Sequence, residues 1–133
     1  MKYIRTFESI TEDIRFTIKE DTNRFRIDMF VGDNNVGYAF VTIKDDVFSK
    51  WNLNNEENYE SISEGRCLYI IGISMTSGKG WGSNLVKYIE SLASQYDCQY
   101  VALGSITDAL GFWKKMGYEI YGIGEYYSMY KKI

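Results

Sequence analysis

Residues 66–104 constrain the fold most, because they place a helical pattern between two strand-like segments. The segment RCLYIIGISM (66–75) is almost continuously apolar, which is typical of a central strand covered on both faces. It leads through the turn TSGKGWG into GSNLVKYIESLASQY, where apolar residues recur at helical spacing, and then into the strand-like CQYVALG. This order predicts one β-α-β unit. Gly72 inside the first strand predicts a β-bulge or a close approach to the backbone.

The segments before this unit alternate apolar and polar residues, which is the pattern of half-buried strands. IRFTIKE, RFRIDMFV and VGYAFVTIK each show it, and the turn cluster GDNN separates the last two. Together they predict an antiparallel meander. In the third segment, one predicted face carries Ala39, Val41 and Ile43, and the other carries Tyr38, Phe40 and Thr42.

The C-terminal segments predict a short helix and two closing strands. SITDALGFWKKMGY has the apolar spacing of an amphipathic helix that Gly117 ends, and YEIYGIG and EYYSMYKKI follow as strands. The tyrosine-rich last strand is a candidate sheet edge, so both a monomer and a homodimer are compatible with the sequence. The whole chain predicts a single domain, 1–133, of the α/β (α+β) class. Its sheet is expected to be mixed, mostly antiparallel and twisted, with six to seven strands flanked by helices.

The composition excludes several kinds of chemistry. The chain has no histidine, which rules out Ser-His and Cys-His pairs and His-ligated zinc. Cys67 and Cys98 lie in separate apolar runs, so we expect buried thiols in a reducing compartment and no metal site. A net charge of -3 and a pI near 5.0 argue against nucleic-acid binding. No apolar run reaches membrane-spanning length and no signal-peptide core opens the chain, so we expect a cytoplasmic protein without membrane contact.

The segment from Asp45 to Gly65 has no clear periodicity and carries six acids against one base. Two interpretations stay open. The segment is either a solvated loop, or an acidic lip over a cleft that attracts a cationic partner.

The glycines of the turn are explained either by flexibility or by anion binding. A strand that runs into a glycine-rich turn at the start of a helix directs successive N–H groups the same way, which forms a phosphate-binding nest. The spacing does not fit the P-loop, because Lys79 is followed by glycine, and it does not fit the dinucleotide fingerprint of doubly wound sheets.

With its element order, the chain resembles the GNAT superfamily of acetyl-CoA-dependent N-acetyltransferases. The loop motif of that family, [RQ]-x-x-G-x-[GA], falls on Ser77, Gly78, Lys79, Gly80, Trp81 and Gly82. A second element, an alanine followed by an aromatic pair and then glycine-aromatic, falls on Ala109, Phe112, Trp113, Gly117 and Tyr118. The resemblance covers the chain from about Arg66 to the C-terminus.

Three departures from the family pattern change the expectations. Ser77 replaces arginine or glutamine, which leaves the backbone donors of the loop intact. The two helices usual between the first two strands are missing, so we expect those strands to form a direct hairpin, and an acceptor wall from residues 45–65. Trp113 occupies the position at which many members have a tyrosine that protonates the leaving thiolate, and indole cannot do so at neutral pH.

The resemblance implies where acetyl-CoA binds. Its pyrophosphate would lie on the N–H groups of residues 78–83, within reach of Lys79. Its pantetheine arm would lie where strand 66–75 splays from strand 98–104, with Gly72 as the bulge that opens the splay. The implied cofactor-binding residues are Ile73, Ser74, Met75, Gly78, Lys79, Gly80, Trp81, Gly82, Ser83, Phe112 and Trp113. Phe112 and Trp113 also fit a core stripe, and one of them can serve both purposes.

Catalytic residues are harder to assign, because the acceptor amine must be neutral to react. Ser74 and Ser105, at the ends of the splayed strands, could order a water that carries the proton. The alternative is that Ser74 is only a hydroxyl at the end of a strand and that Ser105 is a helix N-cap, with Asp108 three residues after it. The implied function is direct acetyl transfer to a primary amine, of a small molecule or of a protein lysine or N-terminus, with a cationic acceptor. The alternative is a catalytically weak module that binds CoA or a protein partner.

Overall fold

The structure, a computed structural model, describes residues 13–21, 24–45, 65–76 and 80–133. The strands are β1 (Ile14–Asp21), β2 (Arg24–Val31), β3 (Asn34–Asp45), β4 (Arg66–Met75), β5 (Tyr100–Ser105), β6 (Glu119–Ile123) and β7 (Tyr127–Lys132). The helices are α1 (Trp81–Gln95), between β4 and β5, and the short α2 (Leu110–Lys115), which follows a 3-10 turn at Thr107–Ala109. Ser77, Gly78, Lys79 and residues 46–64 lie outside the described residues.

The strands form one mixed seven-stranded sheet in the order β1-β2-β3-β4-β5-β7-β6. Only the β4–β5 pair is parallel among these strands, and α1 makes the crossover between them. The predicted mixed, mostly antiparallel sheet is therefore confirmed. The expectation that the last strand forms an edge is wrong, because β7 pairs with β5 on one side and with β6 on the other.

The N-terminal strands follow the predicted meander. Asp21 pairs with Arg24, so β1 and β2 form the direct hairpin that the missing helices predicted. In β3 the alternation places Ala39 and Val41 in the core and leaves Tyr38 and Phe40 half-buried on the opposite face. Strand formation is favoured here because every second residue is apolar and the pleat sends alternate side chains to opposite faces.

The main core lies between the sheet and α1. The helix buries Leu85, Val86, Ile89, Leu92 and Ala93, which recur at the predicted helical spacing. A smaller cluster on the opposite face of the sheet contains Cys67, Tyr100, Ala102 and Tyr121. Neither Cys67 nor Cys98 forms a disulfide, and both are buried, as expected. Within the described residues, no helix is long and apolar enough to cross a membrane.

The helix predicted over SITDALGFWKKMGY is shorter than the pattern indicated. Its first turn is 3-10, and α2 itself covers only six residues. The predicted stop is confirmed, because Gly117 has a φ of 96° and its N–H bonds to the carbonyl oxygen of Lys114 at 3.0 Å. A left-handed φ of this kind suits glycine at a helix C-terminus.

Candidate functional site

A slot opens between β4 and β5. Their parallel pairing covers only Cys67–Ile70 and Tyr100–Leu103, although β4 continues to Met75 and β5 to Ser105. A register shift against β3 occurs at the same level, because Phe40 pairs with Gly72 whereas Val41 pairs with Ile70. The two strands therefore separate at a bulge, as predicted. The inserted residue is Ile71 rather than Gly72.

The bulge exchanges the faces of β4, and this determines what lines the slot. Before it, Leu68 and Ile70 point to the core under α1, and beyond it Ile73 and Met75 pack against that core. β3 remains paired with β4 to its end, since Ala39 pairs with Ile73 and Gly37 with Met75. The other backbone edge of β4 beyond Ile70 faces the slot, where β5 no longer pairs with it. Such an edge presents N–H and C=O groups to a ligand.

The N-terminus of α1 lies at the end of this slot. Gly80 is the N-cap, with a φ of 75°, and a Cβ added there would meet no atom within 4 Å. The Ser83 hydroxyl donates to the carbonyl oxygen of Gly80 at 3.0 Å, which closes the first turn. The N–H groups of that turn have no intrahelical partner and carry the partial positive charge of the helix dipole. No acidic residue occupies the first turn.

The aromatic pair of α2 forms the opposite wall. The Phe112 ring lies against the first turn of α1, since a Cβ on Gly82 would be in van der Waals contact with it at 3.4 Å. Phe112 is 38% exposed whereas Trp113 is 4% exposed. The two rings meet edge to face at 5.1 Å. Trp113 is thus a core residue that also lines the slot, and Phe112 mainly lines it.

These elements enclose a cavity of about 350 Å³. It is lined by Ile73, Met75, Thr76, Gly80, Gly82, Ala109, Phe112 and Trp113. Seven of these residues belong to the two sequence motifs or to the predicted arm-binding strand. Of the other predicted residues, Trp81 packs against the core, the Ser83 hydroxyl bonds within the turn, and Gly78 and Lys79 are not described. Thr76 and Ala109 were not predicted as contacts, although Ala109 lies in the second motif.

A partly buried ion pair and a hydrogen bond support this wall. The Tyr118 hydroxyl donates to Glu90 Oε2 at 2.9 Å, and Lys131 Nζ donates to Glu90 Oε1 at 3.1 Å. Tyr118 packs edge to face on Trp113 at 5.1 Å. Burial, and then the negative charge of Glu90, raise the pKa of Tyr118, so this phenol stays protonated and donates. The sequence did not reveal this cluster, because its members are 28 and 41 residues apart.

The two serines proposed for the proton path differ in their surroundings. Ser74 is exposed and lines a second cavity of about 240 Å³ together with Asn35–Tyr38, Met75 and Thr76. Ser105 is 2% exposed, and its hydroxyl donates to the carbonyl oxygen of Ile106 at 2.8 Å. The N-cap interpretation of Ser105 is wrong, because Ile106 is the cap of the 3-10 turn and no side chain caps it.

The carboxylate beside the second cavity is held in an ion pair. Asp28 accepts hydrogen bonds from Arg26 at 3.1 Å and from Asn35 at 2.9 Å. The hydrogen bond from Arg26 lowers the pKa of Asp28, with a further contribution from Asn35. A carboxylate held in this way is a poor proton acceptor. Among the described residues, no three His, Cys, Asp or Glu side chains are placed to hold a metal ion.

Comparison with known proteins identifies the fold. No protein-family model matches the sequence, and no curated protein matches it. An acetyltransferase from Bacillus subtilis in complex with CoA has a TM-score of 0.67 and 14% identity, over 91% of this chain and 99% of the other. Naa50 from Arabidopsis thaliana, in complex with the bisubstrate analogue CoA-Ac-MVNAL, has a TM-score of 0.57 and 22% identity, over 81% and 72%.

An acetyltransferase of the GNAT family from Listeria monocytogenes has a TM-score of 0.57 and 16% identity, over 81% of this chain and 64% of the other. The chain therefore has the GNAT fold, as the two sequence motifs predicted.

Proposed function

We propose that the chain is an N-acetyltransferase that transfers an acetyl group from acetyl-CoA to a primary amine. The observation that carries this proposal is the cavity of about 350 Å³ that joins the open edge of β4 to the first turn of α1. An apolar slot that ends at a helix N-terminus suits a molecule with an apolar arm at one end and a pyrophosphate at the other. Two structures of the same fold contain CoA or a CoA analogue.

The residues of the loop and of α1 would hold the pyrophosphate. The N–H groups of Trp81, Gly82 and Ser83 open the helix, and its dipole favours an anion there. Gly80 and Gly82 leave the backbone accessible, because side chains at these positions would occupy the cavity that both residues line. Participation of Gly78 and Lys79 in the same site stays a prediction from the loop motif.

The arm would lie along β4 between the bulge and the loop. Ile73, Ser74 and Met75 offer backbone groups at the edge from which β5 has separated, so an amide-containing arm can pair with them as an added strand. Phe112 and Trp113 would cover the arm and exclude water. A backbone N–H on this edge would also polarise the thioester carbonyl.

The reaction is a direct transfer. Acetyl-CoA supplies a thioester, at which a C–N bond forms to the amine nitrogen, the C–S bond breaks, and CoA leaves as a thiolate that takes a proton from water. The described residues that line the cavity include no carboxylate and no lysine. Ser74, which lies between Ile73 and Met75 in β4 and lines the second cavity, would hold a water that accepts the proton of the amine. The buried Ser105 hydroxyl, already donating to Ile106, is the weaker candidate.

Substitution of Gly80 tests the proposal by charge. Gly80→Asp and Gly80→Asn have side chains of the same size, and both tolerate a left-handed φ better than other residues do. We expect calorimetric titration with acetyl-CoA to show saturable 1:1 binding to the wild type. Gly80→Asp should bind at least about tenfold more weakly than Gly80→Asn, because its carboxylate repels the pyrophosphate. Equal affinities of the two variants would place the pyrophosphate elsewhere.

The alternative function, a module that binds CoA without transferring the acetyl group, is favoured by one feature of the site. Trp113 stands where many relatives have a tyrosine acid, and indole donates no proton at neutral pH. The two functions agree on binding and differ only in turnover. Formation of an acetylated amine therefore separates them.

A further inference from the structure

The strand β1 forms one edge of the sheet among the described strands, because it pairs there only with β2. An edge strand presents a row of unpaired N–H and C=O groups, to which an extended peptide can add as a further strand. The side chains of Thr17, Ile18, Lys19 and Glu20 are exposed at this edge. Ile18 is 42% exposed, which is unusual for a large apolar side chain in a strand.

The two faces of β1 differ in chemistry. Phe16 packs against the core on the α1 side, where its ring stacks on that of Tyr88 at 4.1 Å. Ile18 lies on the same side of the strand, two residues further on. Arg15 and Lys19 alternate with these residues and lie on the opposite side. The edge therefore has an apolar row on one face and a basic row on the other.

The basic row continues across β2 and β3 on the sheet face away from α1. The cationic positions of these three strands on that face are Arg15, Lys19, Arg24, Arg26 and Lys44, and we call them the basic face. The acidic positions of the three strands on that face are Asp21 and Asp28. An excess of cations on one surface attracts an anionic partner.

One pair of residues shows how the basic face holds a carboxylate. Arg26 lies over the Tyr38 ring at 4.5 Å, and its Nε and Nη2 donate to the Asp28 carboxylate at 3.1 Å each. Arg15 lies over the Phe30 ring in a similar way, at 4.4 Å, and is exposed. Contact with a ring uses the plane of a guanidinium and not its N–H fork, so the fork of Arg15 can bind a second carboxylate.

We propose that β1 binds an extended segment of a partner protein in which acidic and apolar residues alternate. Added as a further strand, the segment places its acidic side chains beside Arg15 and Lys19 and its apolar side chains beside Phe16 and Ile18. A second copy of this chain fits less well, because pairing of β1 with β1 would bring the cations of both copies onto one face. The surface lies three strands away from β4 and does not depend on the proposed function.

Fluorescence anisotropy without acetyl-CoA tests the proposal. The labelled peptide has eight residues, the length of β1, with glutamate and valine in alternation. One control peptide has lysine in place of glutamate, and another has the same composition with its glutamates adjacent to one another. We expect saturable binding of the alternating peptide and affinities at least about tenfold weaker for both controls. Equal affinity of the rearranged peptide, or tighter binding of a single-stranded oligonucleotide of equal charge, would overturn the proposal.

A pair of charge variants locates the binding surface. Arg15→Gln with Lys19→Gln removes the cations of β1 and should weaken binding of the alternating peptide at least about fivefold. Lys87→Gln with Lys115→Gln is the matched control, because it makes the same change in net charge at exposed positions of α1 and α2, which pack on the other face of the sheet. Equal losses in the two double variants would overturn the role of β1.

The acids of the segment 46–64 are tested as a competing occupant of the basic face. One variant combines Glu56→Gln, Glu57→Gln, Glu60→Gln and Glu64→Gln. We expect it to bind the alternating peptide with an affinity within about fivefold of the wild type. Absence of binding by the wild type would overturn the proposal, and binding restored in this variant would then identify the chain's own acids as the occupant.

Discussion

The cluster of Glu90, Tyr118 and Lys131 allows a quantitative prediction for the wall of the cavity. Tyr118 is 2% exposed, and its hydroxyl donates to Glu90 at 2.9 Å. Tyr118→Phe removes a hydrogen bond to a charged acceptor, which costs about 1.5–3 kcal/mol. Glu90→Ala leaves the buried hydroxyl without its acceptor, which costs about 1–3 kcal/mol. Because both changes remove the same bond, the double variant should lose less than the sum of the two, by about 1–2 kcal/mol.

The effect is large enough to measure by thermal unfolding. For 133 residues the entropy of unfolding is about 280 cal/mol/K near 60 °C, so 2 kcal/mol lowers the melting temperature by about 7 °C. Glu119→Ala, at an exposed position of β6, is the control and should change stability by less than about 0.5 kcal/mol. We also expect acetyl-CoA to bind severalfold more weakly to Tyr118→Phe, since Tyr118 supports Trp113. Additive single effects, within about 0.3 kcal/mol, would refute the coupling.

Two further predictions concern stability. Burial raises the pKa of the Cys67 thiol from 9.0 to about 12. The neutral thiol therefore contributes fully to the free energy of unfolding below pH 9. This contribution is lost as the pH rises towards 12, at up to about 1.4 kcal/mol per pH unit. Urea unfolding between pH 8 and 10.5 should show a shallower decline for Cys67→Ala, and parallel declines would contradict this. A Cβ on Gly37 would lie 2.8 Å from the carbonyl oxygen of Ser74 and would overlap the side chain of Met75, so Gly37→Ala should lose about 1–3 kcal/mol. Gly72→Ala, which meets open space, should change stability by less than about 1 kcal/mol, and equal losses would argue against the contact.

Local patterns predicted most elements of the fold. In β2 and β3 the alternation of apolar and polar residues indicates which side chains face the core, and in α1 the helical spacing does so. Burial of these apolar side chains stabilises each element. The bulge was predicted near Gly72, and it occurs at Ile71. The apolar positions of β4 change parity between Ile70 and Ile73, which is a signal that the sequence contains.

Other features depend on contacts between distant segments. The edge of the sheet is formed by β6, because β7 is the strand that pairs with β5. The local sequence EYYSMYKKI does not indicate which of the two strands pairs with β5. Ser105 with Asp108 has the spacing of a capping box, but Ser105 is a buried strand residue that pairs with Tyr127, and the helical turn begins later. The bond between Glu90 and Tyr118 likewise joins α1 to the segment between α2 and β6, which only the tertiary fold brings together.

The most direct test of the account is whether an acetyl group moves. The protein is incubated with isotopically labelled acetyl-CoA and a set of primary amines that includes small amines and peptides with a lysine or a free N-terminus, and the amines are analysed by mass spectrometry while free thiol is measured. The account predicts label in at least one amine and one equivalent of free CoA per acetyl group, with both reduced in Gly80→Asp when acetyl-CoA is below saturation. Saturable binding of acetyl-CoA with no acetylated product from any amine would contradict it and would favour a CoA-binding module.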